Sequence, residues 1–279
     1  MTMTGCCVSF PDGLPASAVN LSHVRVIPLQ SGSAGNCCFV EAAGVRLLFD
    51  AGIGARRVAD RLAAHGVDPS RIDALIISHE HSDHVAAAGS LARRYGFPVY
   101  ITEPTWRKAA RAFAPGDPVR HFTAGDTLRF ASTFAEVRVE TIPTPHDAVD
   151  GVVFVIDDGS HRLALMTDFG HVYPALAQAL AGCDAAVLES NYDESLLAAG
   201  PYPAFLKRRI SGPGGHISNA DAATLLSSHG ARLRWACLAH LSQTNNRPEL
   251  ALDTVRAAIG GRLDLHVAAH GACSGALHL

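Results

Sequence analysis

The run from Ile72 to Gly96, IDALIISHEHSDHVAAAGSLARRYG, constrains the fold more than any other stretch of the chain. IDALIIS reads as an apolar strand, and HVAAAGSLARRYG reads as a helix ended by Gly96. The junction between them holds three histidines and two carboxylates. His79 and His81 are two apart at the end of the strand, so the period of two sends both imidazoles to one side, where they can share one ion. Ser82 is the expected N-cap of the next helix. Asp83 and His84 then fall in its first turn, where the helix dipole favours a carboxylate. That second pair does not easily bend back to the same ion, so the junction offers two half-sites a few ångströms apart. Glu80 faces the other way and is expected to be structural or solvated. The metalloprotease pattern H-E-x-x-H is excluded, because position 83 is Asp rather than His.

Residues 1–22 mix Ser, Pro, Gly and Asn without periodicity and are expected to form a loose leader; residues 23–279 read as a single domain. Strands and helices interleave from there, with residues 119–167 mostly strands. No fixed-period repeat, low-complexity tract or linker interrupts them. Both halves run from strand-rich to helix-rich, which predicts an α/β fold of two packed sheets with helices outside, rather than one doubly wound parallel sheet. An apolar fraction of 48% over 279 residues is ample for such a core. No apolar run has the length of a membrane span, and the first residues lack the basic and apolar regions of a signal peptide, so no membrane association and a cytoplasmic location are expected. The seven cysteines include no C-x-x-C, which argues against a disulfide framework or a Cys-based zinc knuckle. A net charge of −3 argues against a strongly basic nucleic-acid surface but leaves room for a small basic groove.

A catalytic zinc usually takes three protein ligands and keeps one position open, so two half-sites need further donors. Three candidates follow apolar strands: His146 in ETIPTPHDA, Asp168 in LALMTDFG and His240 in RWACLAHLSQ. His216, in GPGGHISNADAATLL, precedes a helix capped by Ser218 or Asn219. A phosphate can sit at such a helix start, and the neighbouring imidazole can protonate a leaving alkoxide. Lys207, Arg208 and Arg209 stand close by in sequence, and Arg93, Arg94, Arg107, Lys108 and Arg111 offer a second basic face, although charge runs are usually plain solvated surface. Gly32, Ser33, Gly35 and Asn36 suit an anion-cradling turn or, equally, a tight hairpin. Asn191, Asn245 and Asn246 are weaker candidates for orienting substrate or water.

H-x-H-x-D-H followed by His, Asp and His at strand ends resembles the metallo-β-lactamase superfamily of binuclear metallohydrolases, over about residues 24–270. The resemblance implies an αββα four-layer sandwich of two mixed β-sheets. It implies two divalent ions, zinc or manganese, the first held by His79, His81 and His146 and the second by Asp83, His84 and His240. Asp168 would bridge them, and Asp50 in LLFDAG would orient the ligand loop. A bridging Asp is similar to the glyoxalase II and phosphodiesterase branches, whereas true β-lactamases commonly carry Cys there. GHISNADAA with LAHLSQTNN resembles the paired motif of tRNase Z and related nucleases. PLQSGSAGNC, LESNYDESLLAAGPYPAFLKRRISGPGGHISN and HLSQTNN together resemble the YycJ/WalJ subgroup, which is associated with 5′ to 3′ DNA exonuclease activity and a link to mismatch repair. No insertion of β-CASP size and no basic, glycine-rich tRNA-binding arm is evident, which argues against an mRNA-decay or tRNA-maturation enzyme.

The first expectation is therefore a binuclear phosphodiesterase acting on DNA, with a metal-bridging hydroxide as nucleophile and Asp83 and His216 as catalytic residues. The alternative is a small-molecule hydrolase, such as a phosphoribosyl cyclic-phosphate phosphodiesterase or a glyoxalase II-like thioesterase, which the modest negative charge suits better. A metal-stabilised scaffold without turnover is the third.

Overall fold

The computed structural model describes residues 24–132 and 135–279, so the expected leader at 1–22 lies outside the described residues. Two seven-stranded sheets are formed. The first contains β1 (Arg25–Gln30), β2 (Cys37–Ala42), β3 (Val45–Phe49), β4 (Ala74–Ile76), β5 (Val99–Thr102) and β6 (Val119–Phe122). The second contains β7 (Thr127–Ala131), β8 (Glu136–Pro143), β9 (Val152–Asp157), β10 (Arg162–Met166), β11 (Ala185–Glu189), β12 (Trp235–Ala239) and β13 (Asp264–Val267); β14 (Leu277–His278) returns to pair with β1. Each sheet is mixed. β1 to β3 are antiparallel and β3 to β6 parallel, while β7 to β10 are antiparallel and β10 to β13 parallel. The similar halves seen in the sequence are these two sheets.

Three buried clusters define four layers. Leu47, Phe49, Ile76, Val139, Phe154 and Val187 fill the space between the sheets. Leu48, Leu75 and Val99 face outward against Val58 of α1 (Ala55–Ala64) and Leu91 of α3 (Ala88–Tyr95), beyond the short α2 (Ser82–Val85). On the far side Val155, Met166 and Leu188 meet Leu180 of α5 (Pro174–Ala181), Leu226 of α8 (Asn219–His229) and Val255 of α9 (Pro248–Ile259). Both faces of the central strands are thus buried, which is why they read as unbroken apolar runs rather than alternating ones. The remaining helices are α4 (Glu103–Lys108), α6 (Glu194–Ala199) and α7 (Ala204–Ile210). This is the αββα arrangement expected from the resemblance.

The junction after β4 departs from expectation in three ways. The strand ends at Ile76, so His79 and His81 lie on a loop beyond it; they still converge, with His79 Nε2 3.0 Å from His81 Nδ1. His81, not Ser82, is the N-cap of α2, because its carbonyl accepts the N–H groups of His84 and Val85. The expected single helix is split. A continuous helix needs Ala87 N–H on the Asp83 carbonyl, but that carbonyl accepts Asn36 N–H at 2.7 Å, and Ala87 N–H goes to Ala51 O at 2.8 Å. The break tethers the junction to the loops carrying Asn36 and Asp50.

Candidate metal centre

Each candidate donor follows a strand. Asp50 succeeds β3, His79 to His84 follow β4, His146 follows β8, Asp168 follows β10 and His240 follows β12. Asp50, Asp168 and His240 have left-handed φ of 60°, 66° and 55°. Non-glycine residues rarely hold this conformation; of the four among the described residues that do, Ala43 sits in the β2–β3 turn and the other three gather in the donor cluster. Glu189 Oε2 accepts the N–H groups of both Asp168 and Phe169 at 3.1 Å. The His240 N–H is held by Ser31 Oγ at 2.7 Å, and Asp50 N–H by the Ile76 carbonyl at 2.9 Å.

The donor atoms gather in overlapping groups, each within 4.8 Å: His79 with His81 and His146, Asp83 with His84 and His240, and His79 with His84 and Asp168. Asp168 lies between the first two, its carboxylate 3.3 Å from His84 Nε2 and 3.8 Å from His146 Nε2. Asp50 takes His84 Nδ1 at 2.8 Å and the Ser78 N–H at 2.8 Å, which leaves His84 Nε2 facing the group. A fourth group joins Asp168, Glu189, His216 and His240.

Two polar atoms decide whether this cluster suits cations. His240 Nε2 and Asp168 Oδ2 are buried without a hydrogen-bond partner among the described residues. Such atoms are costly to bury unless something else, here an ion, completes them. The histidine and carboxylate set is also one that divalent transition metals take.

Gly52 shows how tightly the second half-site is built. A Cβ there would lie 1.6 Å from the Asp83 carbonyl oxygen. The expected result of Gly52→Ala is therefore displacement of Asp83 and His84, with a stability loss of about 1–3 kcal/mol and a fall in bound metal. Denaturant titration and elemental analysis check it; a variant with wild-type stability and full metal content would contradict it.

Electrostatically the cluster is a balance of opposed buried charges. Burial works against ionisation of Asp168, but His240, His84, His79 and His146 outweigh it and hold its carboxyl well below the usual range. Burial likewise works against protonating His84, yet Asp168, Asp50 and Asp83 push its pKa up to about 9. His240 is raised well above normal against its burial, chiefly by Asp168. His79 is held well below normal by burial and then by His84, and His146 is lowered by burial.

These shifts carry opposite pH dependences for metal-free and loaded protein. The raised pKa of His84 contributes stability to the metal-free protein that is complete below about 6.5 and lost as pH rises through about 9. Metal binding strengthens over the same range, because protons and ions compete for the same nitrogens. Chelated protein is expected to melt progressively lower between these limits while zinc or manganese affinity rises, as scanning and titration calorimetry would record. Rising stability of the chelated protein across this window would refute the balance described.

A groove of ≈ 340 Å³ opens over the cluster, bordered by His81, Asp83, Asp168, Arg209, His216 and His240, among others. His216 lies in the loop before α8, whose start carries a reciprocal capping box between Ser218 and Asp221. Its Nδ1 is 2.7 Å from Glu189 Oε1, which also lies 3.2 Å from His240 Nδ1. Burial disfavours charge on Glu189, but His216 and His240 outweigh it and keep the carboxyl below its ordinary value. Glu189 is one of two residues that sequence reasoning missed. It ends AAVLE just as the other donors follow their strands, and that position was the available signal. Asp147 was missed too: its Oδ1 lies 3.3 Å from His146 Nε2 and 3.6 Å from His81 Nε2, and its Oδ2 binds Arg209 at 2.6 Å.

Other candidates have structural roles. Asn191 Nδ2 donates to the His240 carbonyl at 2.7 Å, and Asn246 Nδ2 donates to Ser190 O and Asn219 Oδ1 at 2.8 Å. Asn245 Nδ2 donates to Ser242 Oγ at 3.3 Å within its own loop. All three asparagines are buried, and Asn191 and Asn246 fasten the segments that follow β11 and β12. Gly32 N–H is used by Asn36 Oδ1, and Gly35 N–H by Gly32 O, so the turn reading prevails over the anion cradle. In the expected second basic face, Arg93 is paired with Asp117 and Arg107 with Glu103, both at 2.6 Å. Lys207 donates to the Ala198 carbonyl. Glu80 Oε1 accepts Val149 N–H at 2.9 Å, the structural role expected of it. Cys37, Cys38, Cys183, Cys237 and Cys273 are free thiols. Among the described residues no helix is long and apolar enough to cross a membrane.

The profile of the metallo-beta-lactamase superfamily matches residues 31–205, more than half of the chain. The chain belongs to the metallo-β-lactamase superfamily. Within it, the chain is 35% identical over 226 residues to exodeoxyribonuclease YycJ of Bacillus anthracis, covering 80% of this chain and 84% of that one. It is also 35% identical over 228 residues to exodeoxyribonuclease WalJ of Streptococcus pneumoniae, covering 80% and 83%. These two place the chain in the YycJ/WalJ branch of the superfamily. The crystal structure of the metallo-β-lactamase fold protein YhfI from Bacillus subtilis superposes with a TM-score of 0.70 at 18% identity, over 92% of this chain and 100% of that one, which shows the shared fold. Divalent metal binding is a property of the superfamily, and the donor cluster is its counterpart here.

Proposed function

We propose that this metallo-β-lactamase-fold protein is a binuclear metal-dependent phosphodiesterase acting as a 5′ to 3′ DNA exonuclease in a repair setting. The observation that carries the reading is the His216–Glu189 pair at 2.7 Å on the border of the metal groove, in a chain 35% identical to two exodeoxyribonucleases. In this reading His79, His81 and His146 would hold one ion, Asp83, His84 and His240 would hold the other, and Asp168 would be within reach of both. Zinc and manganese suit these donors. When bound, such a pair of ions lowers the pKa of water to supply a nucleophile at neutral pH and offsets charge on the phosphate.

The chain's own groups do the rest. Glu189 Oε1 accepts a hydrogen bond from His216 Nδ1–H, so in the doubly protonated ring Nε2–H is the donor that passes its proton to the leaving sugar oxygen, leaving the neutral imidazole. Asp83 borders the groove and accepts a hydrogen bond from the attacking water. Asp50 fixes the tautomer and orientation of His84. Arg209, now on Asp147, is the guanidinium placed to take a phosphate oxygen.

Manganese- or zinc-loaded protein incubated with end-labelled DNA and RNA is expected to release nucleotides stepwise from the 5′ end of DNA. Engaging about three phosphates, it should lose roughly ten-fold or more in affinity between 50 and 200 mM salt. A salt-independent activity confined to small esters would favour the small-molecule hydrolase instead. That second reading draws support from the net charge of −3 and from the pairing of Arg93, Arg107 and Arg209 with carboxylates.

A further inference from the structure

Three large apolar side chains are exposed among the described residues: Phe205 at 67%, Val149 at 53% and Val172 at 39%. All three stand on segments that border the metal groove and are bonded to one another. Asp147 N–H binds Gly214 O and Gly170 N–H binds Pro145 O, both at 2.8 Å, and His171 Nδ1 meets Pro213 O at 2.9 Å. Phe205 belongs to α7, a helix with no buried residue, so its ring is not explained by packing. Leu206, Arg209 and Ile210 of the same helix line the groove. Phe205 and Arg209 are four residues apart, hence neighbours about 6 Å along the helix axis.

We infer that Phe205 is the platform on which a nucleobase at the strand end stacks while Arg209 takes a phosphate of the same strand. This rests on the DNA exonuclease reading and adds to it a contact with the terminal base of the degraded strand. An exposed aromatic ring beside a guanidinium is the pairing that single-stranded nucleic acid uses, since every base has a face to stack and every linkage a charge to meet. Asp147, His171 and Arg209 interrupt the apolar rim, which suits single rings rather than the continuous apolar face that a protein partner would cover.

The test uses metal-loaded protein and single-stranded and duplex oligonucleotides that carry either normal bases or abasic residues at the two positions of the degraded end. Phe205→Ala is expected to keep its metal and to lose about 5- to 100-fold in kcat/KM on normal ends. It should match wild type on abasic ends. Phe205→Trp should restore the normal-end rate, and quenching of terminal 2-aminopurine should follow the same order. If wild type degrades DNA while Phe205→Ala is unimpaired, or is impaired equally on both kinds of end, the stacking role is overturned and the exonuclease reading stands. If wild type neither binds nor cleaves DNA, both fall.

Discussion

Asp168→Asn is expected to abolish most hydrolysis while leaving the two sheets intact. Its carboxylate touches both half-sites, lying within 3.3 to 3.8 Å of His84, His146, His216 and His240. An amide keeps the shape and hydrogen bonds on one side only, and loses the charge that binds cations. Turnover should fall by about 10²–10³-fold or more, and elemental analysis should show fewer than two ions per chain. The metal-free variant should also be less stable than metal-free wild type, by about 3–5 kcal/mol, because His84 and His240 lose their buried counter-charge. Calorimetry of both chelated proteins measures this. Full turnover with two ions bound would remove Asp168 from the centre.

The second large effect belongs to His216. His216→Ala should retain both ions and lose about 10²–10⁴-fold in kcat on DNA, where the leaving sugar oxygen needs a proton. On a nitrophenyl phosphodiester, whose leaving phenolate needs none, the loss should nearly vanish. Glu189→Gln should reproduce this split, since its carboxylate acts through the His216 imidazole, and should also weaken metal retention through His240. An equal loss on both substrates would mean that His216 binds substrate rather than protonates the leaving group. Loss of metal from His216→Ala would mean that it belongs to the ligand set.

Much of this was readable in advance because strand and ligand follow each other directly along the chain. An apolar run that stops at His or Asp, as before His146, Asp168 and His240, is visible at short range. Both faces of the central strands are covered, so their apolar runs mark them as interior. The same short-range rules misplaced Ser82 as an N-cap and fused α2 with α3. What breaks that helix is the Asn36 N–H, a group 47 residues upstream of the Asp83 carbonyl it binds. The basic face is weakened for a related reason: Arg93 is paired with Asp117, which no local pattern links to it.

From residue types and spacing alone came the donors, the two half-sites in HEHSDH, and a fold able to cover two sheets with helices. Only the tertiary structure decided that β3, β4, β8, β10 and β12 deliver those donors to one point. It also decided that Asp50, Asp168 and His240 hold left-handed backbone there, and that Glu189 serves His216. The physical reason is range. Periods of two and of 3.6 are read within one element, whereas convergence depends on sheet order and on hydrogen bonds between loops far apart in the chain.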